Sequence, residues 1–129
     1  MILIENFVWR NIMLAAIQSA LSGLQAYSQK TQATANNVAN LNTQGFKRDV
    51  VTLSSQAPQG VSASVSKDET PGPYVAEPTG SGTAMVEQSN ADLVQEMPDL
   101  ILEKNGFSAN LKTLKTADQM LGTLIDINT

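Results

Sequence analysis

LAAIQSALSGLQAYSQKTQATANNVANL, residues 14–41, decides the fold. From Leu14, the positions Ile17, Leu21, Leu24, Ser28, Thr31, Ala35 and Val38 recur at alternating steps of three and four. That spacing keeps one side of an α-helix apolar over most of its length and matches the seam of a coiled coil. Residues 91–127 repeat the pattern through Leu93, Met97, Leu100, Lys104, Phe107, Leu111, Leu114, Asp118, Leu121 and Ile125, with Lys104 and Asp118 as the polar members. Two apolar stripes at opposite ends of a short chain must bury against each other or against other chains. Periodicity alone leaves both outcomes open: a monomeric helix pair, or a face for neighbouring subunits.

The first helix is expected from near residue 13 to about residue 40, ~40 Å at the usual rise. Gly23 inside it either admits the close approach of another helix or is a tolerated weak point, at ~1 kcal/mol relative to Ala. Asn36, Asn37, Asn40 and Asn42 loosen the end of this helix, and Asn42-Thr43-Gln44-Gly45 reads as a stop and a turn. The last helix opens with Ser89 or Asn90 as a cap and Asp92 near its positive end. Pro98 predicts a bend or break near 97–98, because it lacks an N–H and crowds the carbonyl of Val94. Gly106 predicts softness near 105–106.

Between the helices, residues 46–53 read as extended and 61–65 alternate with period two. Residues 74–76 and 84–86 are weaker strand candidates, and 69–73 form a loop. This middle is too short and polar to hold a large core alone. The expected fold is mainly α with a small β-rich insert: long amphipathic terminal helices of coiled-coil type flank a short β or irregular segment. The corresponding division is 13–45 with 89–127 as one discontinuous helical unit, 46–88 as the middle segment, and 1–12 as an extension.

Composition removes several function classes. The 129 residues carry a net charge of −4, with eight basic residues scattered along the chain. No basic stripe tracks a phosphate backbone, so nucleic acid is set aside. Absence of His and Cys removes imidazole catalysis, thiol nucleophiles, disulfides and nitrogen or sulfur metal sites. The opening MILIENFVWRNI is apolar, but Glu5 and Arg10 interrupt it, which fits neither a secretory signal nor a membrane span. Phe7, Val8 and Trp9 there either start the helix early or pack on a neighbour.

Carboxylates are the remaining candidates for chemistry. Glu96, Asp99 and Glu103 lie three and four apart and share one helix face, as a cation site or an acid–base pair would require. The plainer reading, a solvated polar face opposite the apolar seam with Glu103 beside Lys104, is preferred because no second ligand cluster accompanies them. Ser66-Lys67 is a poor dyad, since neighbours on a strand point to opposite faces. No catalytic residue, cofactor or metal is expected.

Ser19-Ala20-Leu21-Ser22-Gly23-Leu24-Gln25-Ala26-Tyr27, followed by Ala35-Asn36-Asn37-Val38-Ala39-Asn40-Leu41-Asn42-Thr43-Gln44-Gly45-Phe46-Lys47-Arg48, closely resembles the N-terminal signature of bacterial flagellar rod and hook proteins. The stretch 89–97, then Phe107-Ser108-Ala109-Asn110 and 115–121, resembles the C-terminal signature of the same family. The two signatures cover over half the chain, in the expected order. The resemblance implies a non-enzymatic subunit of an axial filament, exported unfolded by the flagellar type III apparatus without a cleaved signal. It implies assembly with itself and with other rod subunits in the periplasmic part of the basal body, and no membrane span. The short length looks like a proximal-rod subunit. Family members begin only a few residues before the first motif, which makes Met13 the natural start and 1–12 either a mis-assigned extension, the preferred reading, or a genuine extra segment. Pro98 stands where the family continues a helix, and Phe107 where Tyr is common. A secreted or periplasmic binding module using the same helices is the alternative.

Overall fold

The computed structural model describes residues 2–80 and 82–127. Two long helices enclose four short strands in the order α1 (Ile2–Ala39), β1 (Asp49–Ser55), β2 (Val61–Lys67), β3 (Tyr74–Thr79), β4 (Gly82–Glu87) and α2 (Leu93–Ile127). Helix α1 has 38 residues and α2 has 35, roughly 57 Å and 52 Å at 1.5 Å per residue. α1 begins at Ile2, earlier than the expected position near residue 13. How Phe7, Val8 and Trp9 pack lies outside the described side chains, as does Met1.

The helices pack antiparallel, and the pairing is in step. Gly23 meets Asn110 and Tyr27 meets Gly106. Lys30 meets Glu103 and Asn37 meets Glu96. Each advance along α1 is matched by an equal retreat along α2. The seam on α1 is therefore Met13, Ala16, Ala20, Gly23, Tyr27, Lys30, Thr34 and Asn37, which is one residue before the leucine heptad at every step. On α2 the seam is likewise one residue before its apolar heptad.

Close packing explains the choice of seam. A Cβ on Gly23 would lie 2.5 Å from Asn110 Oδ1, and one on Gly106 would lie 2.2 Å from Tyr27 Cζ. The two glycines let the helix axes approach, and a side chain from the opposite helix fills each gap. Gly23 thus admits a helix. Gly106 is covered by an aromatic ring within an unbroken helix, and the softness expected there has no counterpart in the secondary structure.

Helix α2 also continues through Pro98 without the expected break. Pro98 lies only in the second turn, and its neighbour Val94 is exposed. Water can therefore reach the carbonyl that loses its partner.

Strands β1 and β2 form one antiparallel hairpin, with Val51 opposite Val65. Strands β3 and β4 form another, with Val75 opposite Val86. These are separate two-stranded ribbons. Pro78 is tolerated in β3 because each strand of a ribbon is an edge. The β1–β2 hairpin lies along α1: Val61 N donates to Ser22 Oγ at 3.1 Å, and Ala33 lines one cavity with Val50 and Val51. Ala26 and Ala33, buried, sit one residue before the seam positions Tyr27 and Thr34.

Candidate assembly face and motif clasp

Three stripes of α1, each one residue out of phase, have three different fates. Ser22, Ala26 and Ala33 are on the side of the β1–β2 hairpin, Gly23, Tyr27 and Thr34 face α2, and the leucine heptad faces away from the hairpin. Successive helical residues turn by about 100°. Antiparallel helices wind in opposite senses seen from one end, so a shift of one residue on both carries both leucine stripes to the same side. A shallow groove lined by Ile17, Leu111, Leu114, Lys115 and Asp118 joins them there.

Of the residues singled out from sequence, Leu14, Leu21, Leu93, Met97, Phe107, Leu111 and Ile125 are exposed, with Leu21 at 48% and Leu111 at 51%. Ile17, Leu24, Val38, Leu100, Leu114 and Leu121 are half-buried. The leucine heptad is thus not the interface of the helix pair. Among the described residues it forms one apolar face, which the chain itself covers only in part.

The turn motif binds the pieces together. Asn40 N bonds back to Asn36 O at 3.1 Å, and Thr43 Oγ1 donates to Asn40 Oδ1 at 3.0 Å. Asn42 is exposed beside them. Gly45 takes φ +65°, a left-handed conformation that suits glycine, and its N–H donates to Glu87 O at 2.9 Å. The chain then reverses towards β1.

Asn37 is the centre of the clasp. Its Oδ1 accepts from Asp49 N at 2.7 Å, and its Nδ2 donates to Asp49 O at 2.9 Å and to Glu96 Oε1 at 3.1 Å. One buried amide therefore ties α1, the start of β1 and α2. Asn36 Nδ2 donates to Asp49 Oδ2 at 2.8 Å. Burial of Asp49 works against its ionisation, but Lys67 and Asn36 outweigh this and hold its carboxyl below the usual range.

Phe46, Lys47 and Arg48 complete the clasp from the other side. Lys67 Nζ lies 4.9 Å from the centre of the Phe46 ring, within cation–π range. Lys47 Nζ donates to Glu87 Oε1 at 2.6 Å, and this, with the Gly72 N–H, keeps the Glu87 carboxyl low. Arg48 N donates to Asn90 Oδ1 at 2.7 Å, while Asn90 Nδ2 donates to Asp68 O and Thr70 O. Asn90 thus cross-links loops, and Asp92 caps α2 through Val94 N at 2.9 Å. Ser89 Oγ accepts from Ala91 N instead.

The carboxylates depart most from expectation. Glu96 is 1% exposed and Glu103 0%, so they form no solvated face. The seam runs one residue earlier than the leucine pattern implied, which carries them into the helix interface. Glu103 Oε1 accepts from Thr34 Oγ1 at 2.8 Å and faces Lys30 Nζ at 3.9 Å, so its cation is Lys30 and not Lys104. Arg48 Nε stands 3.5 Å from Glu96 Oε1, an ion pair without hydrogen-bond geometry. Burial pushes the Glu96 carboxyl up against the lowering effects of Asn37 and Arg48. Sequence reasoning missed Tyr27, Lys30, Thr34, Asn90 and Asn110 as partners. The signal was the run of small residues Ala16, Ala20 and Gly23, which has the same period as the leucines.

Among the described residues no acidic, His or Cys group has the makings of a metal site, and no helix is long and apolar enough to cross a membrane.

Comparison with known proteins gives two family matches, one at each end of the chain. Residues 17–47 match the flagella basal body rod protein family. Residues 83–127 match the C-terminal family of the flagellar basal body rod FlgEFG proteins. The flagellar basal-body rod protein FlgG of Bacillus subtilis is 31% identical over 72 residues, covering 56% of this chain and 27% of its own. The flagellar hook protein FlgE of Borreliella burgdorferi is 40% identical over 43 residues, covering 33% of this chain and 10% of its own. That of Helicobacter pylori is 43% identical over 42 residues, covering 33% and 6%. The chain therefore spans about a tenth or less of these hook proteins and about a quarter of the rod protein. The matched segments hold α1 from Ile17 onward, all of α2, and Asn36, Asn37 and Gly45 of the clasp, and the chain belongs to the flagellar basal-body rod and hook family of non-enzymatic structural subunits.

Proposed function

We propose that this chain is a subunit of the flagellar rod, of the short proximal type, which polymerises through the leucine faces of α1 and α2. The observation that supports this is the position of the exposed leucines: they line one side of a helix pair whose own interface is already filled. A face of that kind suits neighbouring subunits. Head-to-tail contacts between unlike surfaces build open helical assemblies when the rotation does not close.

In this reading residues 13–45 and 89–127 form the assembling unit, and 46–88 stands on its far side, where β1–β2 packs. Residues 1–12 extend α1 beyond the family motif. The seam residues Leu14, Leu21, Met97, Phe107 and Leu111 make the contacts, while Asn36, Asn37 and Gly45 fix the clasp. The partners are copies of the chain, other rod subunits, and the flagellar type III export apparatus during delivery. The site of action is the periplasmic rod.

The test is a clean deletion in the source bacterium, scored for swimming and for rods in purified basal bodies. Loss of both, restored by the native gene but not by Leu21→Asp or Leu114→Asp, is the expected result. Intact rods and normal swimming after deletion would remove the proposed role.

A further inference from the structure

The seam between α1 and α2 carries more acid than base. Glu96 and Glu103 are almost wholly buried, and Asp99, half-buried, lies on the turn between them. Asp49 enters from the start of β1 and lines the same polar cavity as Glu96 and Asp99. Among the described residues, charged groups stand around Glu96 on each element packed against it. From α1 comes Lys30, 3.9 Å from Glu103. From the chain before β1 comes Arg48, 3.5 Å from Glu96. From β2 comes Lys67, 2.7 Å from Asp49. From α2 come Asp99 and Glu103.

The pairings leave a remainder. Lys67 serves Asp49 and Lys30 serves Glu103, which leaves Arg48 to Glu96, with Asp99 lining the same cavity. Arg48 is further divided, because its Nη1 donates to Gln95 Oε1. Glu96 is thus buried beside a cation that makes no hydrogen bond to it, with two acidic neighbours on its own helix, and Glu103 Oε2 has no hydrogen-bond partner. An uncompensated buried charge is costly and is relieved most simply by a proton.

We propose that closure of the α1–α2 hairpin takes up a proton at Glu96, so that the packed helix pair is a pH-sensitive latch which tightens in mild acid and loosens at alkaline pH. The direction follows from linkage. A carboxyl that is harder to ionise in the packed state than in the open one favours packing as pH falls. The raising effects of burial and of the neighbouring Asp99 and Glu103 charges on Glu96 agree with this sign.

The experiment uses the full chain, dilute and monomeric. Thermal unfolding followed from about pH 8 down to about pH 5, just above the ordinary glutamate range, should show a midpoint that rises as the buffer becomes more acidic. Glu96→Gln keeps the shape and removes the charge. It should raise the midpoint at the alkaline end and abolish the rise on acidification. A wild-type midpoint that is flat or falls over this interval, or a Glu96→Gln profile parallel to wild type, would overturn the latch. The carboxyl-carbon resonance of Glu96 in the wild type gives an answer that does not depend on the variant folding. It should titrate above the ordinary glutamate range, and titration within or below that range would also overturn the proposal.

Discussion

Replacing Gly106 with Ala sets two effects of opposite sign against each other. Gly106 lies inside α2, where Ala is favoured over Gly by about 1 kcal/mol. Yet the new methyl would lie 2.2 Å from Tyr27 Cζ and 2.5 Å from Cε1. Those atoms belong to the far part of a half-buried ring, which can swing outward at the loss of its packing. Overpacking of this kind costs about 1–3 kcal/mol. The expected net for Gly106→Ala is a loss of about 1 kcal/mol, worth roughly 3–5 °C in a chain of this size. In a Tyr27→Ala background the obstacle is gone, and Gly106→Ala should then stabilise by about 1 kcal/mol. The coupling in the double-mutant cycle is therefore about 2 kcal/mol. The assay is urea unfolding of the four proteins followed by circular dichroism. Stabilisation by Gly106→Ala in both backgrounds, with coupling near zero, would mean that the ring does not lie on Gly106. The helices would then not pack along the small-residue seam.

Other expectations are simpler. Asn37→Ala strips partners from Asp49 N, Asp49 O and Glu96 and should cost about 3 kcal/mol in urea unfolding. Gly72→Ala places a methyl 2.1 Å from Gln88 O, a backbone atom with no side-chain freedom to yield. It should destabilise by at least about 2 kcal/mol and broaden the amide signals of β3 and β4. Leu21→Asp should lower monomer stability by only about 1 kcal/mol, since the side chain is half exposed already, while abolishing assembly as judged by sedimentation. In strong acid the hairpins should detach: Asp49 and Glu87 are held below their usual range, so their contribution is present above that range and lost as pH falls through their lowered values. Amide signals of β1 and β4 should report that loss.

The period of the helices was legible in the sequence, but their phase was not. Leucines dominate a pattern search because they are large, yet large residues keep helix axes apart. Here Ala20 and Gly23 bring the helices together and Ala26 and Ala33 face the β1–β2 hairpin, and this depends on what each faces rather than on its own hydrophobicity. Glu96 and Glu103 were misread for the same reason, since a carboxylate in a helix signals solvent unless its partners are known. Those partners, Asn37, Arg48, Thr34 and Lys30, lie far away along the chain. The strands of the middle were legible from alternation and from the turn residues. Pro98 does not break α2, because exposure near the start of the helix lets water replace the bond that an interior proline removes. The turn at Asn42-Thr43-Gln44-Gly45 was visible locally. The link from Asn90 to Arg48 spans the whole β-rich segment and was not.

The most direct measurement concerns the leucine face. The chain has no Cys, so a single thiol can be placed at will. Leu21→Cys and Ala20→Cys differ by one position, the first exposed and the second buried against α2. Maleimide labelling of the monomer should be fast at the first and slow at the second. In purified basal bodies both should be slow, because neighbouring subunits cover the leucine face. Fast labelling of Leu21→Cys in intact rods would contradict assembly through that face.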